Sequence, residues 1–139
     1  MTYDPKNALI GGIFAKWNGG SLANDIAPLQ RSTASTNVSR HPYSLLIPPE
    51  NLIDLGMTCG TQRFECELEL AVYDKSPELV AAHKQKIDQV FSSDALSLQM
   101  DGASLESCRL TDSSDNEQDD NLWRGGLVYR FRISRTRIA

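Results

Sequence analysis

The sequence predicts an α+β domain, an antiparallel β-sheet with two helices packed on one face plus a long exposed loop or hairpin arm. Three observations predict it. Apolar residues recur at three- and four-residue spacing in two separate segments, Leu9 to Trp17 and Val80 to Phe91, which is the helical period. Strict alternation marks Phe64 to Val72 and again Leu127 to Ile133, which is the strand period. The order helix, strands, helix, strands is that of an antiparallel sheet with its helices segregated to one side. At 139 residues the chain is one domain, 1–139.

The first helix runs from about Pro5 to Trp17. Asp4 is placed to accept from the free N–H groups of its first turn, and Pro5 is pre-set in φ for the first helical position. Leu9, Ile10, Ile13, Phe14 and Trp17 form one apolar stripe, and Asn18-Gly19-Gly20 ends it. Gly11 and Gly12 each weaken a helix by about 1 kcal/mol relative to Ala, which points either to close approach of a neighbour or to a cost that is simply tolerated. Residues 18–41 then read as a flexible arm, within which Ile26 to Gln30 has the make-up of a short edge strand. From Arg31 to His41 the arm holds no acid, and a loop of this length inside a domain is usually functional or disordered.

Pro42 to Ile47 reads as a buried strand stopped by Pro48-Pro49, and Asn51 to Gly60 as a connector. In the next strand Phe64, Cys66, Leu68, Leu70 and Val72 point one way, and Arg63, Glu65, Glu67 and Glu69 the other. Ser76-Pro77-Glu78 caps a second helix that buries Val80, His83, Ile87, Val90 and Phe91 and ends at Ser92-Ser93-Asp94. Leu96 to Met100 alternates, Asp101-Gly102 is a hairpin dipeptide, and Ser104 to Thr111 is its expected return strand. Asp112 to Asn121 reads as an acidic loop. The last strand puts Leu127, Tyr129, Phe131 and Ile133 on one face, with Arg124, Val128, Arg130 and Arg132 on the other. If the Glu65/Glu67/Glu69 strand lies antiparallel beside Arg130/Arg132, unlike charges face each other across the ladder.

Composition and motifs exclude several functions. A net charge of -4 disfavours a general nucleic-acid binder, and Arg130 and Arg132 of the one basic cluster already have expected partners in the Glu row. The longest weakly polar stretch, Ala8 to Ala15, is too short to cross a bilayer, and Asp4 with Pro5 occupies the place of a secretory leader's basic region. Three cysteines, Cys59, Cys66 and Cys108, without a C-x-x-C pair fit a reducing compartment, with Cys66 and Cys108 as small core residues. No metal site is expected. The acids of 112–120 lack the Gly and terminal Glu of a calcium loop, and the His and Cys residues lack zinc spacing. No triad turn or phosphate loop is present, so no cofactor and no catalytic residue is expected. A row of like charges at Glu65, Glu67 and Glu69 suits acid–base work in principle, but it is also what an exposed strand face looks like.

The order of elements carries a resemblance. Ala8-Leu9-Ile10 to Trp17 leads through Ile26-Ala27-Pro28-Leu29 to the arm and Pro42-Tyr43. Gln62-Arg63-Phe64-Glu65-Cys66 to Val72-Tyr73 runs into Asp74-Lys75-Ser76-Pro77-Glu78, and Leu122-Trp123-Arg124 to Ile133-Ser134-Arg135 closes the chain. In this order, over most of its length, the chain resembles the tail-terminator or tail-completion (minor tail) proteins of long-tailed bacteriophages. The resemblance implies a non-enzymatic α+β subunit of the virion, assembled in the host cytoplasm. It forms a ring, typically of six copies, at the head-proximal end of the tail tube. There it ends tube growth and meets the head connector, so its implied partners are itself, the tail tube protein and the connector protein. The connector 51–60 and the long arm have no counterpart in that pattern.

Segregated charge suits contacts between copies. The expected contact residues are Arg31, Arg40, Glu65, Glu67, Glu69, Arg130 and Arg132. The loop carrying Asp112, Asp115, Glu117, Asp119 and Asp120 is expected to face the ring lumen and repel passing DNA. Two alternatives stay open. One is a ferredoxin-like dimeric ligand-binding or enzymatic domain, for which a pocket around Glu67 or His83 would speak; the other is a head–tail connector or adaptor of the virion neck.

Overall fold

A computed structural model describes residues 4–31, 42–47, 52–93, 95–100, 102–119 and 122–136. The first helix, α1 (Pro5–Asn18), starts where the cap residues place it: the Asp4 carboxylate accepts from Lys6 N at 3.0 Å and Asn7 N at 3.3 Å. A one-turn helix α2 (Leu22–Asp25) and a short strand β1 (Leu29–Arg31) follow, then β2 (Tyr43–Ile47), β3 (Leu52–Thr58) and β4 (Thr61–Asp74). Helix α3 (Pro77–Phe91) is capped by Ser76 Oγ, which accepts from Leu79 N at 3.2 Å. The long strands β5 (Ser104–Asp119) and β6 (Leu122–Thr136) complete the chain.

The sheet has six strands in the order β1-β2-β4-β6-β5, with β3 also on β4. β6 pairs with β4 over its whole length, from Thr61↔Thr136 to Asp74↔Trp123. The other flank of β4 is shared end to end, β3 taking Thr61 to Cys66 and β2 taking Glu69 to Tyr73. All these pairings are antiparallel, and only β1 runs parallel to its neighbour β2.

Alternation then decides what is buried. Phe64, Cys66, Leu68, Leu70 and Val72 of β4 and Leu127, Tyr129, Phe131 and Ile133 of β6 share one face. They form a single core with Leu9, Ile10, Ile13 and Trp17 of α1 and Val80, Ile87 and Phe91 of α3. Both helices therefore cover the same side, as the amphipathic spacing requires. Aromatic rings link the layers, with centroids 6.4 Å apart for Trp17 and Phe91 and 5.7 Å for Phe91 and Tyr129. The close approach expected at the glycine pair exists at Gly12, where a Cβ would sit 2.8 Å from Met100 Cγ and 3.1 Å from the Gln99 carbonyl oxygen; Gly11 has open space.

Three expectations are corrected, and the connector 51–60, whose structure the sequence leaves open, gains a strand. The arm of 18–41 is folded as far as Arg31: Leu22, Ile26 and Leu29 are buried, and β1 joins the sheet edge. Trp17 Nε1 donates to the Ala27 carbonyl at 2.7 Å and Asn18 Oδ1 accepts from Leu29 N at 2.9 Å, so the end of α1 satisfies backbone groups that a free arm would leave to water. Residues 32–41, Arg40 among them, lie outside the described residues. The connector 51–60 contains β3, turned onto β4 by Cys59 (φ 53) and Gly60 (φ 78), the pair of positive φ values that a tight hairpin needs.

The hairpin of Leu96–Met100 with Ser104–Thr111 reduces to one bridge, Met100↔Ala103. β5 pairs with β6 instead, from Ser104↔Ser134 to Asp119↔Leu122, because β6 offers a longer ladder, while Leu96, Leu98 and Met100 pack against the core. For the same reason the acidic stretch is not a loop: 112–119 is the second half of β5, and Asp120 and Asn121 lie outside the described residues.

Candidate assembly surface

The face of the sheet turned away from the helices is built from the alternate residues of β4 and β6. The register puts Glu65 opposite Arg132 and Glu67 opposite Arg130, the arrangement expected from the charge pattern. Arg132 Nη2 lies 2.8 Å from Glu65 Oε2, and Arg130 Nη2 lies 2.6 Å from Glu67 Oε1 with a further contact of 3.7 Å to Glu65. Glu69 stands opposite Val128 and instead meets Arg124 Nη2 at 2.6 Å. Arg124 also donates to Tyr73 Oη at 3.0 Å and stacks its guanidinium 5.9 Å from that ring. Arg63 reaches past β6 to Glu106 at 3.0 Å.

The hydrogen bond and charge of Glu67 move the Arg130 guanidinium above its ordinary value. For Arg124, burial works downward, but Glu69 and Tyr73 outweigh it and the net shift is upward. Gly126 belongs to the same design, since a Cβ there would collide with the Glu69 carboxylate. Exposed pairs of this kind contribute little to stability. Arg132→Gln is therefore expected to cost less than about 1 kcal/mol in urea unfolding, with the fold retained; a loss several times larger would mean that the ladder is a stability element and not a surface.

Beyond the ladder, Tyr43 and Tyr73 stack at 4.4 Å and form a small apolar cluster with Leu45 and Ala71. Arg31 ends β1 in an exposed position, opposite Leu46. Asp112 is exposed on β5 and accepts from Ser113 N at 2.8 Å, while Asp115, Glu117 and Asp119 are positions further along the same strand. The structure thus brings together Glu65, Glu67, Glu69, Arg130 and Arg132, and leaves Arg31 and the acidic run at separate places on the sheet.

The chemistry-bearing residues elsewhere are engaged in structure. His83 Nε2 lies 2.7 Å from Asp74 Oδ2 and both residues are buried; His83 Nδ1 is buried without a hydrogen-bond partner among the described residues. Tyr129 Oη donates to Asp88 at 2.8 Å, and burial followed by that carboxylate raises its pKa. Burial, with Glu65 adding, pushes the Cys66 thiol up to about 11; burial, with Asp88 adding, pushes Cys108 up to about 12. Both thiols stay protonated near neutrality, unlike an activated nucleophile. Cys59 is exposed at the β3–β4 turn.

A cleft of about 600 Å³ lies where α1 and α3 end, lined by Lys16, Gly20, Ser21, Gln89, Leu96 and Gln99 among others. It contains neither Glu67, which is on the open face, nor His83. Among the described residues no group of three or more His, Cys, Asp or Glu is placed to hold a metal ion, and no helix is long and apolar enough to cross a membrane.

Sequence reasoning missed three features here. The Asp74–His83 pair joins residues in different elements and leaves no local signature. The Arg124–Tyr73 contact depends on a register visible only in the sheet. β3 did have a signal, because Ile53, Leu55 and Met57 alternate just before the turn-forming Cys59-Gly60.

The fold and this face define a class: a small α+β protein whose open sheet surface is closed by its own ion pairs. No protein-family model and no curated protein matches the chain in sequence. Among solved structures, its fold is similar to a chain described as "Virion of native gene transfer agent (GTA) particle", with a TM-score of 0.74 and 14% sequence identity. The match covers 96% of this chain and 99% of that one.

Proposed function

We propose that this chain is a structural protein of a phage-like virion, one that forms a ring at the head-proximal end of the tail tube, ends tube growth and joins the tail to the head. The observation that carries the virion reading is the likeness over nearly the whole of both chains to a gene transfer agent virion chain, at a TM-score of 0.74. A match from end to end supports a shared subunit plan and not a borrowed motif. The tail-terminator role comes from the order of elements in the sequence, and the contact-rich, chemically quiet surface agrees with it. Arg124, Arg130 and Arg132 of the β4–β6 ladder are each held by an acid, which leaves this face for packing between subunits and not for gripping a phosphate backbone. In this reading the acidic second half of β5 faces the lumen and keeps DNA from adhering.

The test is removal of the chain from particle production, followed by electron microscopy. Tails of uncontrolled length and heads without tails are the expected result. Heads unjoined to tails of normal length would assign the chain to the neck as an adaptor, and normal joined particles would overturn both roles.

A further inference from the structure

β6 holds the inner edge of β5, and among the described residues the outer edge of β5 has no partner strand. The segment just before it, Leu96 to Met100, is irregular apart from one bridge, Met100↔Ala103, which stands across the turn that enters β5. Gly102 in that turn has φ 72, a positive value of the kind that a tight hairpin needs. A hairpin is therefore begun at the open edge of β5 and not continued.

The competing seat is on α1. Leu98 to Met100 lies directly on the helix at Gly12, where a Cβ would meet Met100 Cγ at 2.8 Å, the Gln99 carbonyl oxygen at 3.1 Å and Leu98 Cβ at 3.3 Å. This seat leaves space on both sides of Leu96. The cleft of about 600 Å³ at the helix ends is lined by Leu96, Ser97 and Gln99, and a second gap of about 240 Å³ is lined by Leu96 together with Leu105, Ser107 and Cys108 of β5.

Both faces of the segment fit the vacant edge. Leu96, Leu98 and Met100 are half-buried and alternate with exposed Ser97 and Gln99. On β5, Leu105 and Cys108 stand opposite Ile133 and Phe131, on the helix side of the sheet, while Ser104 and Ser107 stand opposite Ser134 and Arg132, on the open side. Continuing the ladder from Met100↔Ala103 sets Gln99 against Ser104 and Leu98 against Leu105; past the extra residue Glu106, Ser97 meets Ser107 and Leu96 meets Cys108. Apolar residues meet on the helix side and polar residues on the open side, and a slip by one residue would reverse every match.

We infer that 96–100 is a switch strand. In the state described here it is seated on Gly12 of α1; in a second state it closes onto the outer edge of β5 as a seventh strand and fills the gap beside Leu96. It thereby decides whether that edge is free to accept a strand from another molecule. The exchange trades the seat on α1 for ladder hydrogen bonds, the kind of bistable packing from which switching elements are made. Ser93 already lines the gap, and the three residues from there to Leu96 span up to ~10 Å, about twice the strand spacing of ~4.8 Å, so α3 need not move.

Gly12→Ala tests it, with a sign opposite to that of a merely structural contact. The added methyl favours the helix but intrudes on the Gln99 carbonyl, so it drives the segment off α1. The amides of residues 104–108 that do not bond β6 are then expected to exchange with deuterium at least about ten-fold more slowly than in the parent. A segment that only packs would be loosened by the same change, and unchanged or faster exchange at 104–108 overturns the switch.

A second protein reads the closed state directly and does not depend on how Gly12→Ala folds. Cys59→Asn removes the exposed thiol, and Asn tolerates the positive φ of 53° at that position. In this background Ser97→Cys is combined with Ser107→Cys. These positions open on different cavities to either side of Leu96, and closure brings them opposite each other. Oxidation in dilute solution is expected to give an internal disulfide in a monomer, mapped to 97 and 107 by peptide mass, with slow exchange at 104–108 until reductant is added. Thiols that stay free, or a bond that leaves 104–108 exchanging as before, overturn the switch.

Discussion

Trp17→Ala is expected to lower the unfolding free energy by about 3–5 kcal/mol. Trp17 is fully buried, its ring lies 6.4 Å from Phe91, and Nε1 donates to the Ala27 carbonyl at 2.7 Å. One side chain thus joins α1 to α3 and holds the segment leading to β1. Truncation opens a cavity between the helices and frees that carbonyl at the same time. Trp17→Phe separates the two contributions, because it keeps a ring and removes the donor, and should cost ~1–2 kcal/mol. Urea unfolding followed by circular dichroism gives both numbers. Amide exchange at residues 22–31 should accelerate in Trp17→Ala well before global unfolding; unchanged protection there would show that the anchor lies elsewhere.

Asp74→Ala is expected to cost about 2–4 kcal/mol through the imidazole it abandons. Asp74 and His83 are 5% and 7% exposed, and their contact of 2.7 Å is the one hydrogen bond of the His83 ring among the described residues. Without the carboxylate both ring nitrogens are buried and unsatisfied, a penalty that grows when neither water nor another acceptor can reach them. Asp74→Asn keeps a hydrogen-bonding group and should cost less. His83→Leu should also be costly, since it strands a buried carboxylate, while replacement of both residues by Leu should recover much of the loss. A double-mutant cycle in urea measures the coupling. Additive single and double changes would mean that the pair is not a unit.

Much of the fold was legible from one sequence, and particular residues show why. Asp4-Pro5 and Ser76-Pro77 start helices because caps and first-turn prolines act within a few residues of the chain. Alternation in β4 and β6 marked the buried face and, with it, the facing of Glu65 and Glu67 toward Arg132 and Arg130. That charge match was readable because Glu65 and Glu67 alternate at the same two-residue spacing as Arg130 and Arg132, so one antiparallel register pairs both. Local composition misled where partners were distant. The run from Ser21 to Arg31 is polar enough to read as an arm, yet Trp17 and Asn18 bind its backbone. The acids after Asp112 look like a loop, yet β6 supplies a ladder to Asp119.

The sequence by itself determined the α+β class, both long helices, the core faces of the two central strands and the pairing of their outward charges. These depend on periodicity and on cap chemistry, which act over one to four residues. Only the tertiary structure decided that β5 joins β6 and not Leu96–Met100, that His83 meets Asp74, and that β3 and β5 are level, oppositely directed margins of one sheet. Those outcomes turn on competition among distant segments for the same hydrogen-bonding edge, and the longer and better buried ladder prevails.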